Sequence, residues 1–470
     1  MARGSFFVHN AGQRTHVCSS GQASPPPSHP LAHTLHHHYH TTQSTTMARR
    51  RLTGPAALCP SSLLLLSLLP AACAFLLPSS SGPARLHRTL SPSTTTLRPI
   101  PSSSSRPPLH LCAASTAAGE TKTTHRAPGT ADLDWANLGF EFRQTRSHIK
   151  FVWKDGQWSE GELVADPYVK IHIANTGLHY GQAIFEGLKA FAWEDGSVRI
   201  FRPQENAKRL RMSAERLLMT PFPEDKFVEA VKRVVADNAD FVPPFGTGGS
   251  LYIRPLLFGS GARIGLNPAD EYTLLIMPIP VGDYYKGGLS PVAALVIDDY
   301  DRAAPRGVGH VKVAGNYAAD LLPNMLGKKK GFPIGLYLDA KTNSYVEEFS
   351  TSNFVAIDSS GAFVTPGSPT VLPSITNKSL MELAKDEGLK VNVRPIPIAE
   401  VRTLKEVAAC GTAVVVTPVN RIVYKDEVIK IGAEGGGEGG TGPITAKLYA
   451  RVRAIQQGEE MDKFGWTVKV

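Results

Sequence analysis

Lys312 stands between two valines in Arg306-Gly307-Val308-Gly309-His310-Val311-Lys312-Val313-Ala314-Gly315, with glycines on either side. An apolar, strand-like setting disfavours the ammonium form, so desolvation there lowers the lysine pKa and makes a neutral amine available. A neutral amine attacks carbonyl carbon and forms a Schiff base. The competing reading, a lysine that lifts its head to solvent from a strand end, asks for no chemistry. Two other segments weigh against it. Val346-Glu347-Glu348-Phe349 sets two acids in apolar sequence, and a carboxylate keeps a pyridine nitrogen protonated so that the ring acts as an electron sink. Asn206-Ala207-Lys208-Arg209-Leu210 puts a guanidinium on a helix-like segment, a suitable partner for phosphate. Amine, acid and guanidinium together fit one cofactor, pyridoxal phosphate.

Further stretches extend the pattern in chain order. They are Gly177-Leu178-His179-Tyr180-Gly181-Gln182-Ala183-Ile184-Phe185-Glu186-Gly187-Leu188-Lys189-Ala190-Phe191, Tyr252-Ile253-Arg254-Pro255 and Gly411-Thr412-Ala413. With the Lys312 and Glu348 segments they closely resemble the branched-chain amino acid aminotransferases of the fold-type IV pyridoxal-phosphate class, from about Leu133 to the C-terminus. The resemblance implies an α+β chain of two domains: a small α/β domain over 131–281, a linker over 282–290, and a larger domain with a barrel-like β core over 291–470. It implies reversible transfer of the amino group of L-leucine, L-isoleucine or L-valine to 2-oxoglutarate. A D-amino acid aminotransferase or an aminodeoxychorismate lyase shares the same lysine and acid and is the alternative.

The resemblance also implies a role for each matching residue. Lys312 carries the cofactor aldehyde and, once displaced by substrate, shuttles the proton. Glu348 partners the pyridine nitrogen, while Glu347, its neighbour in a strand, points to the opposite face. Arg209, Ile375, Thr376 and Thr412 meet the phosphate, the middle two at a helix start whose N–H groups and dipole favour an anion. Tyr317 bonds the ring oxygen of the cofactor. Tyr180, Phe185, Tyr252, Arg254, Thr351 and Ala413 form the substrate pocket, with Phe185 in its apolar wall. Such a pocket must take a branched aliphatic chain in one half-reaction and a glutamate carboxylate in the other. Active sites of this class typically borrow a loop from a second subunit, so a homodimer is expected. No metal is called for. Where some relatives carry a Cys-x-x-Cys pair, this chain has Val414-Val415-Val416-Thr417, so no thiol switch is expected there.

Bulk composition removes other classes. The chain has 470 residues, enough for two domains, and a formal charge of +9. That charge is not a nucleic-acid signal: through residue 130 there are 11 Lys or Arg and one acid, Glu120, leaving a body of 39 basic and 40 acidic residues. Four of five cysteines also precede residue 130, so Cys410 is alone in the body and reads as a small buried apolar residue.

The first 130 residues read as an address. From Met47, a better start for this segment than Met1, Arg49-Arg50-Arg51 precedes a short apolar run through Leu69 and a small-x-small exit, Ala72-Cys73-Ala74, before Phe75. The run is too short to span a bilayer and contains Pro60 and Pro70, so no membrane span is expected in the mature protein. Ser, Thr, Pro and Arg dominate from there to Glu120. A signal peptide followed by a transit-like stretch resembles the bipartite presequences of algae with complex plastids, which implies a plastid, with the mitochondrion as the alternative. Such composition cannot bury a core, and disorder is expected.

Within the body, Ile149–Trp153 with Asp155-Gly156 predicts a hairpin. Helical spacing predicts helices over 204–219, with Leu210, Leu217 and Leu218 on one side, and over 224–238. A third is predicted over 317–330, with Ala318, Leu321, Leu322 and Met325 on one face, a kink or late start at Pro323, and Gly331 as cap. Ser374 to Gly388 brackets a fourth. Strands are predicted at 292–297, 334–338, 354–357 and 362–365, and Gly432–Gly442 reads as a surface loop.

Overall fold

The computed structural model describes residues 126–282, 289–432 and 440–470. The expected presequence through residue 125, the centre of the expected linker and most of the glycine-rich loop lie outside the described residues. Everything below belongs to one compact unit.

Two nine-stranded sheets organise the described residues. The first uses β1 (His148–Lys154), β2 (Gln157–Trp158), β3 (Glu162–Val164), β4 (Ala183–Phe185), β5 (Leu188–Ala192), β6 (Val198–Phe201), β7 (Ser250–Gly259) and β8 (Tyr272–Val281). The second uses β9 (Val292–Ile297), β10 (Ile334–Leu338), β11 (Val346–Phe349), β12 (Ser352–Ile357), β13 (Phe363–Pro366), β14 (Val391–Arg394), β15 (Glu406–Gly411), β16 (Val415–Tyr424) and β17 (Glu427–Lys430). Strand β18 (Thr467–Lys469) returns to the first sheet and pairs antiparallel with β6. In the second sheet, β11 pairs with β10 on one side and β12 on the other, so that β11, β10, β9, β16, β15 and β12 close into a barrel. Closure leaves those six strands without a free edge.

Helices cover these sheets: α1 (Thr176–Tyr180), α2 (Pro203–Arg216), α3 (Glu224–Asp237), α4 (Ala314–Ala319), α5 (Leu321–Lys329), α6 (Ile375–Asp386) and α7 (Pro443–Gln457). Phe227, Val231 and Val234, spaced to share one face of α3, are fully buried against β1 and β8 residues such as Ile149 and Ile276. A second core fills the barrel around Leu336, Phe349, Phe354 and Ile422. A third joins Phe191 and Phe201 of the first sheet to Val355 and Cys410 of the barrel, beneath Leu380 of α6 and Val452 of α7. Cys410 is a free, buried thiol whose pKa burial pushes up, as its apolar setting led us to expect.

The β1–β2 hairpin forms as predicted, with Asp155 and Gly156 both at positive φ. The helix over 375–386 also forms, with the Ser374 hydroxyl accepting from Asn377 N and Gly388 at φ 78° just beyond its end. Three expectations need correction. Helix α2 stops at Arg216, and Leu218, at φ 52° and 71% exposed, does not join Leu210 in the core; Gln182 and Tyr272 capture the Leu217 and Leu218 carbonyls and turn the chain away. The run predicted over 317–330 starts earlier, at Ala314, and is divided at Asp320, which accepts a 2.5 Å hydrogen bond from the Tyr337 hydroxyl of β10. Past that break Leu321, Leu322 and Met325 are exposed rather than packed. The stretch around Lys312, predicted to be strand-like, is a turned connection: Val311 N donates to Val308 O and Val313 N to Val311 O, and its one bridge joins Val313 to Ile184.

Candidate active site

Lys312 is placed by its neighbours. Val311 and Val313 are both buried in the first core, and the tight turn in which Val313 N donates to Val311 O sets Lys312 at its apex between them. Its own backbone is fixed twice, by Lys312 N donating to Ser213 Oγ of α2 at 3.1 Å and by Phe185 N of β4 donating to Lys312 O at 3.1 Å. The amine then lies 2.8 Å from the Tyr317 hydroxyl on α4, to which it donates, and 4.7 Å from the centre of the Phe185 ring. Burial, reinforced by the nearby charge of Arg209, lowers the Lys312 pKa to about 8. Burial also pushes the Tyr317 hydroxyl up to about 12, so it remains a neutral partner at ordinary pH.

Phe185 is the common wall. The Arg254 guanidinium sits 4.8 Å from its ring centre, and the Tyr317 ring meets it edge-on at 4.8 Å. Arg254 also donates to the Tyr252 hydroxyl at 2.9 Å. Gly187, two residues after Phe185, has no space for a side chain, because a Cβ there would collide with that same hydroxyl.

Arg209 projects from α2 and is buried, as is Glu186, its partner in a bidentate pair with both contacts at 2.7 Å. Its third contact, Nη1 to Pro373 O at 3.1 Å, reaches the turn before α6. The N-terminal residues Ile375 and Thr376 of α6 are buried there. Thr412 and Ala413 lie in the turn between β15 and β16; Thr412 Oγ1 donates to Gly187 O at 3.3 Å, and Lys189 Nζ donates to Ala413 O at 2.7 Å.

Glu348 enters from barrel strand β11. It is buried, and its Oε1 accepts from Arg302 at 2.6 Å and from Leu372 N. Burial raises its pKa to about 7, against the lowering field of Arg302. The positive charge of Lys312 is also felt at Glu348, so amine and acid act on one another. Glu347 bonds a different set, the hydroxyls of Ser368 and Thr370, and is also buried.

Two singled-out residues stand apart. Tyr180, at the end of α1, is 46% exposed, and its hydroxyl donates to Ile264 O. Thr351 is exposed in the turn between β11 and β12. A cavity of about 770 Å³ beside β1, lined by Lys150, Lys154, Asp166 and His172 among others, contains none of the residues singled out from the sequence. Sequence reading also passed over Glu186 and Arg302. Glu186 carried a signal, an acid between Phe185 and Gly187 in a mostly apolar stretch; Arg302, in the charged run Asp298 to Arg306, carried none.

Residues 183–422 match the family model described as amino-transferase class IV. The chain belongs to the class IV aminotransferases. It is 44% identical over 345 residues to the branched-chain-amino-acid aminotransferase of Haemophilus influenzae, covering 72% of this chain and 99% of that one. It is 42% identical over 341 residues to branched-chain amino acid aminotransferase 2, chloroplastic, of Humulus lupulus, covering 72% of this chain and 82% of that protein. The crystal structure of the Escherichia coli branched-chain amino acid aminotransferase superposes with a TM-score of 0.57 at 29% identity, covering 68% of this chain and 98% of that one.

Members of this class work with pyridoxal phosphate, and the donor set fits it. A desolvated amine suits the aldehyde, a buried carboxylate with one oxygen left over suits the ring nitrogen, and an arginine beside a helix start suits the phosphate.

Glu348 makes the cofactor-free protein pH-sensitive. Its folded pKa of about 7 lies above the ordinary value of 4.5, so the folded chain binds more protons than the unfolded chain between those values. Stability from this group is complete below pH 4.5 and is lost as pH rises through 7. Denaturant midpoints measured across that range should therefore fall for the wild type, and Glu348→Gln should flatten the fall.

Proposed function

We propose that this protein reversibly transfers the amino group of L-leucine, L-isoleucine or L-valine to 2-oxoglutarate, giving the branched 2-oxo acids and L-glutamate. The observation that carries the reading is the meeting of Lys312 Nζ, the Tyr317 hydroxyl and the Arg254 guanidinium around the Phe185 ring. Bound pyridoxal phosphate supplies an electron sink for the substrate's α-carbon. The chain supplies the rest. With its pKa near 8, Lys312 Nζ is deprotonated in part at neutral to mildly alkaline pH, so the one atom can take a proton from carbon and return it. Tyr317, held neutral, hydrogen-bonds the amine without competing for its proton. Glu348 holds the ring nitrogen, while Arg209, Thr412 and the start of α6 at Ile375 and Thr376 hold the phosphate.

Phe185 and Tyr252 give an apolar wall suited to a branched chain, and Arg254 at its rim gives a cation suited to the side-chain carboxylate of glutamate. Ala413 and Thr351 flank the end that takes the α-carboxylate. Residues 131–281 and 291–470 are read as small and large domains, supported by the change of sheet between β8 and β9.

Tyr180 enters this site only from a second copy of the chain, and we read the protein as a homodimer. In support, Tyr180 shares its surface with other exposed apolar side chains, Ile173, Leu178, Ile264 and Leu266. We read residues 1–130 as a plastid presequence, supported by the chloroplastic Humulus lupulus relative.

Purified protein should transaminate L-leucine with 2-oxoglutarate; turnover of D-alanine or aminodeoxychorismate with none of L-leucine would overturn the substrate assignment. Lys312→Ala should lose both transamination and the visible absorbance of the bound cofactor, with an unchanged circular dichroism spectrum. Sedimentation should give a dimer, and a monomer turning over at the full rate would remove Tyr180 from the site. A fluorescent protein fused behind residues 1–130 should enter plastids, and its accumulation in mitochondria would favour the alternative destination.

A further inference from the structure

Arg302 has no part in the roles assigned above. Its guanidinium lies against Glu348, with only 9% of its side chain exposed. One nitrogen, Nη2, donates to three oxygens: Glu348 Oε1 at 2.6 Å, Thr370 O at 3.0 Å and Gly309 O at 3.3 Å. The three acceptors come from three segments, namely barrel strand β11, the turn leading into α6, and the loop leading into Lys312. These segments are already in close contact. A Cβ on Gly309 would collide with Thr370 O, so the lysine loop lies flat on the turn before α6 only because residue 309 is glycine. The same turn is tied to the acids from its other side: Leu372 N donates to Glu348 Oε1, and Thr370 Oγ1 to Glu347.

Glu348 is thus held twice, both times by Oε1, and neither bond reaches Oε2. We propose that Arg302 is a positioning residue: it pins Glu348 by one oxygen, leaves the other for the cofactor ring, and keeps that alignment in register with the Lys312 loop and the turn before α6. The inference rests on the reading of Glu348 as the ring-nitrogen partner.

The charge balance gives the physical reason. A carboxyl buried without a compensating cation takes up a proton, and a neutral acid no longer favours a protonated pyridine. The titratable or charged groups that act on Glu348 are Arg302, Lys312, Tyr317, Glu347 and Cys410. Tyr317 and Cys410 are neutral, because burial raises both, and Glu347 opposes the ionised form. Of the two cations, Lys312 loses its free ammonium whenever it engages in chemistry. A guanidinium stays charged at every working pH, and the length of the arginine side chain brings the single nitrogen Nη2 within reach of all three acceptors.

The test uses the cofactor-free protein first. Stability of the wild type falls with pH up to about 7, the window set by Glu348. Arg302→Gln should move the upper end of that window upward by about one pH unit or more, and adding Glu348→Gln should abolish the effect. Arg302→Gln should also weaken pyridoxal phosphate binding, read by fluorescence titration, by about tenfold or more. Arg302→Lys should restore the window while still binding the cofactor more weakly than the wild type.

An unmoved window in Arg302→Gln would overturn the proposal. A window that moves while Arg302→Gln and Glu348→Gln both bind pyridoxal phosphate as the wild type does would instead overturn the reading of Glu348 as ring partner. Should Arg302→Gln fail to fold, wild-type cofactor affinity in Arg302→Lys, whose shorter side chain gives up part of the three-way contact, would overturn the proposal.

Discussion

Charge taken out of water is the constraint around which this site is built. Arg209 and Arg302 are buried, and each has found a carboxylate, Glu186 or Glu348, at 2.6–2.7 Å. Lys312 is half-buried beside them, but its hydrogen-bond partner is the neutral hydroxyl of Tyr317. Two permanently charged guanidinium groups therefore each hold an acid, while Lys312 is a cation whose charge burial can remove. Burial lowers a lysine pKa and scarcely affects the ionisation of an arginine, so among the cations gathered here the lysine amine is the one suited to proton transfer.

The site is also a seam. Lys312 is fixed by contacts to α2 and β4, Arg209 comes from α2, and Phe185 from β4, all packed on the first sheet. Glu348 and the turn at Thr412 come from the barrel, and α6 lies over the core that joins the two sheets. Bonds that cross the seam at the site include Arg209 to Pro373 O, Thr412 to Gly187 O and Lys189 to Ala413 O, and farther out Arg202 meets Ser379 and Glu382 while Lys378 meets Glu205. The first three tie a side chain on one side to backbone on the other, so the turns at Pro373 and at Thr412–Ala413 are anchored to α2 and β5 or the residue before it.

Local signals were easily read from the chain. The Asp155-Gly156 turn, the Ser374 cap and the period of α3 are decided by residues within a few positions of one another. The lysine and the acid were legible because their chemistry conflicts with apolar neighbours, and the arginine because it falls on a helix-like segment. Pairings between distant residues were not. That Arg209 is matched to Glu186, or that Arg302 lies against Glu348, depends on which strands close the barrel, and no local pattern records it. The faces of α5 misled for the opposite reason. Leu321, Leu322 and Met325 have core-like spacing, but the break at Asp320, held by Tyr337, turns them outward.

The first sheet is completed from the far end of the chain. Strand β18 forms its edge beside β6, Trp466 stacks with Phe464 and meets Phe201 edge-on, and Arg202 N donates to Trp466 O. During synthesis this edge strand emerges after every other described element. The sheet that fixes Lys312 is therefore completed only when residues 467–469 are available to pair with β6.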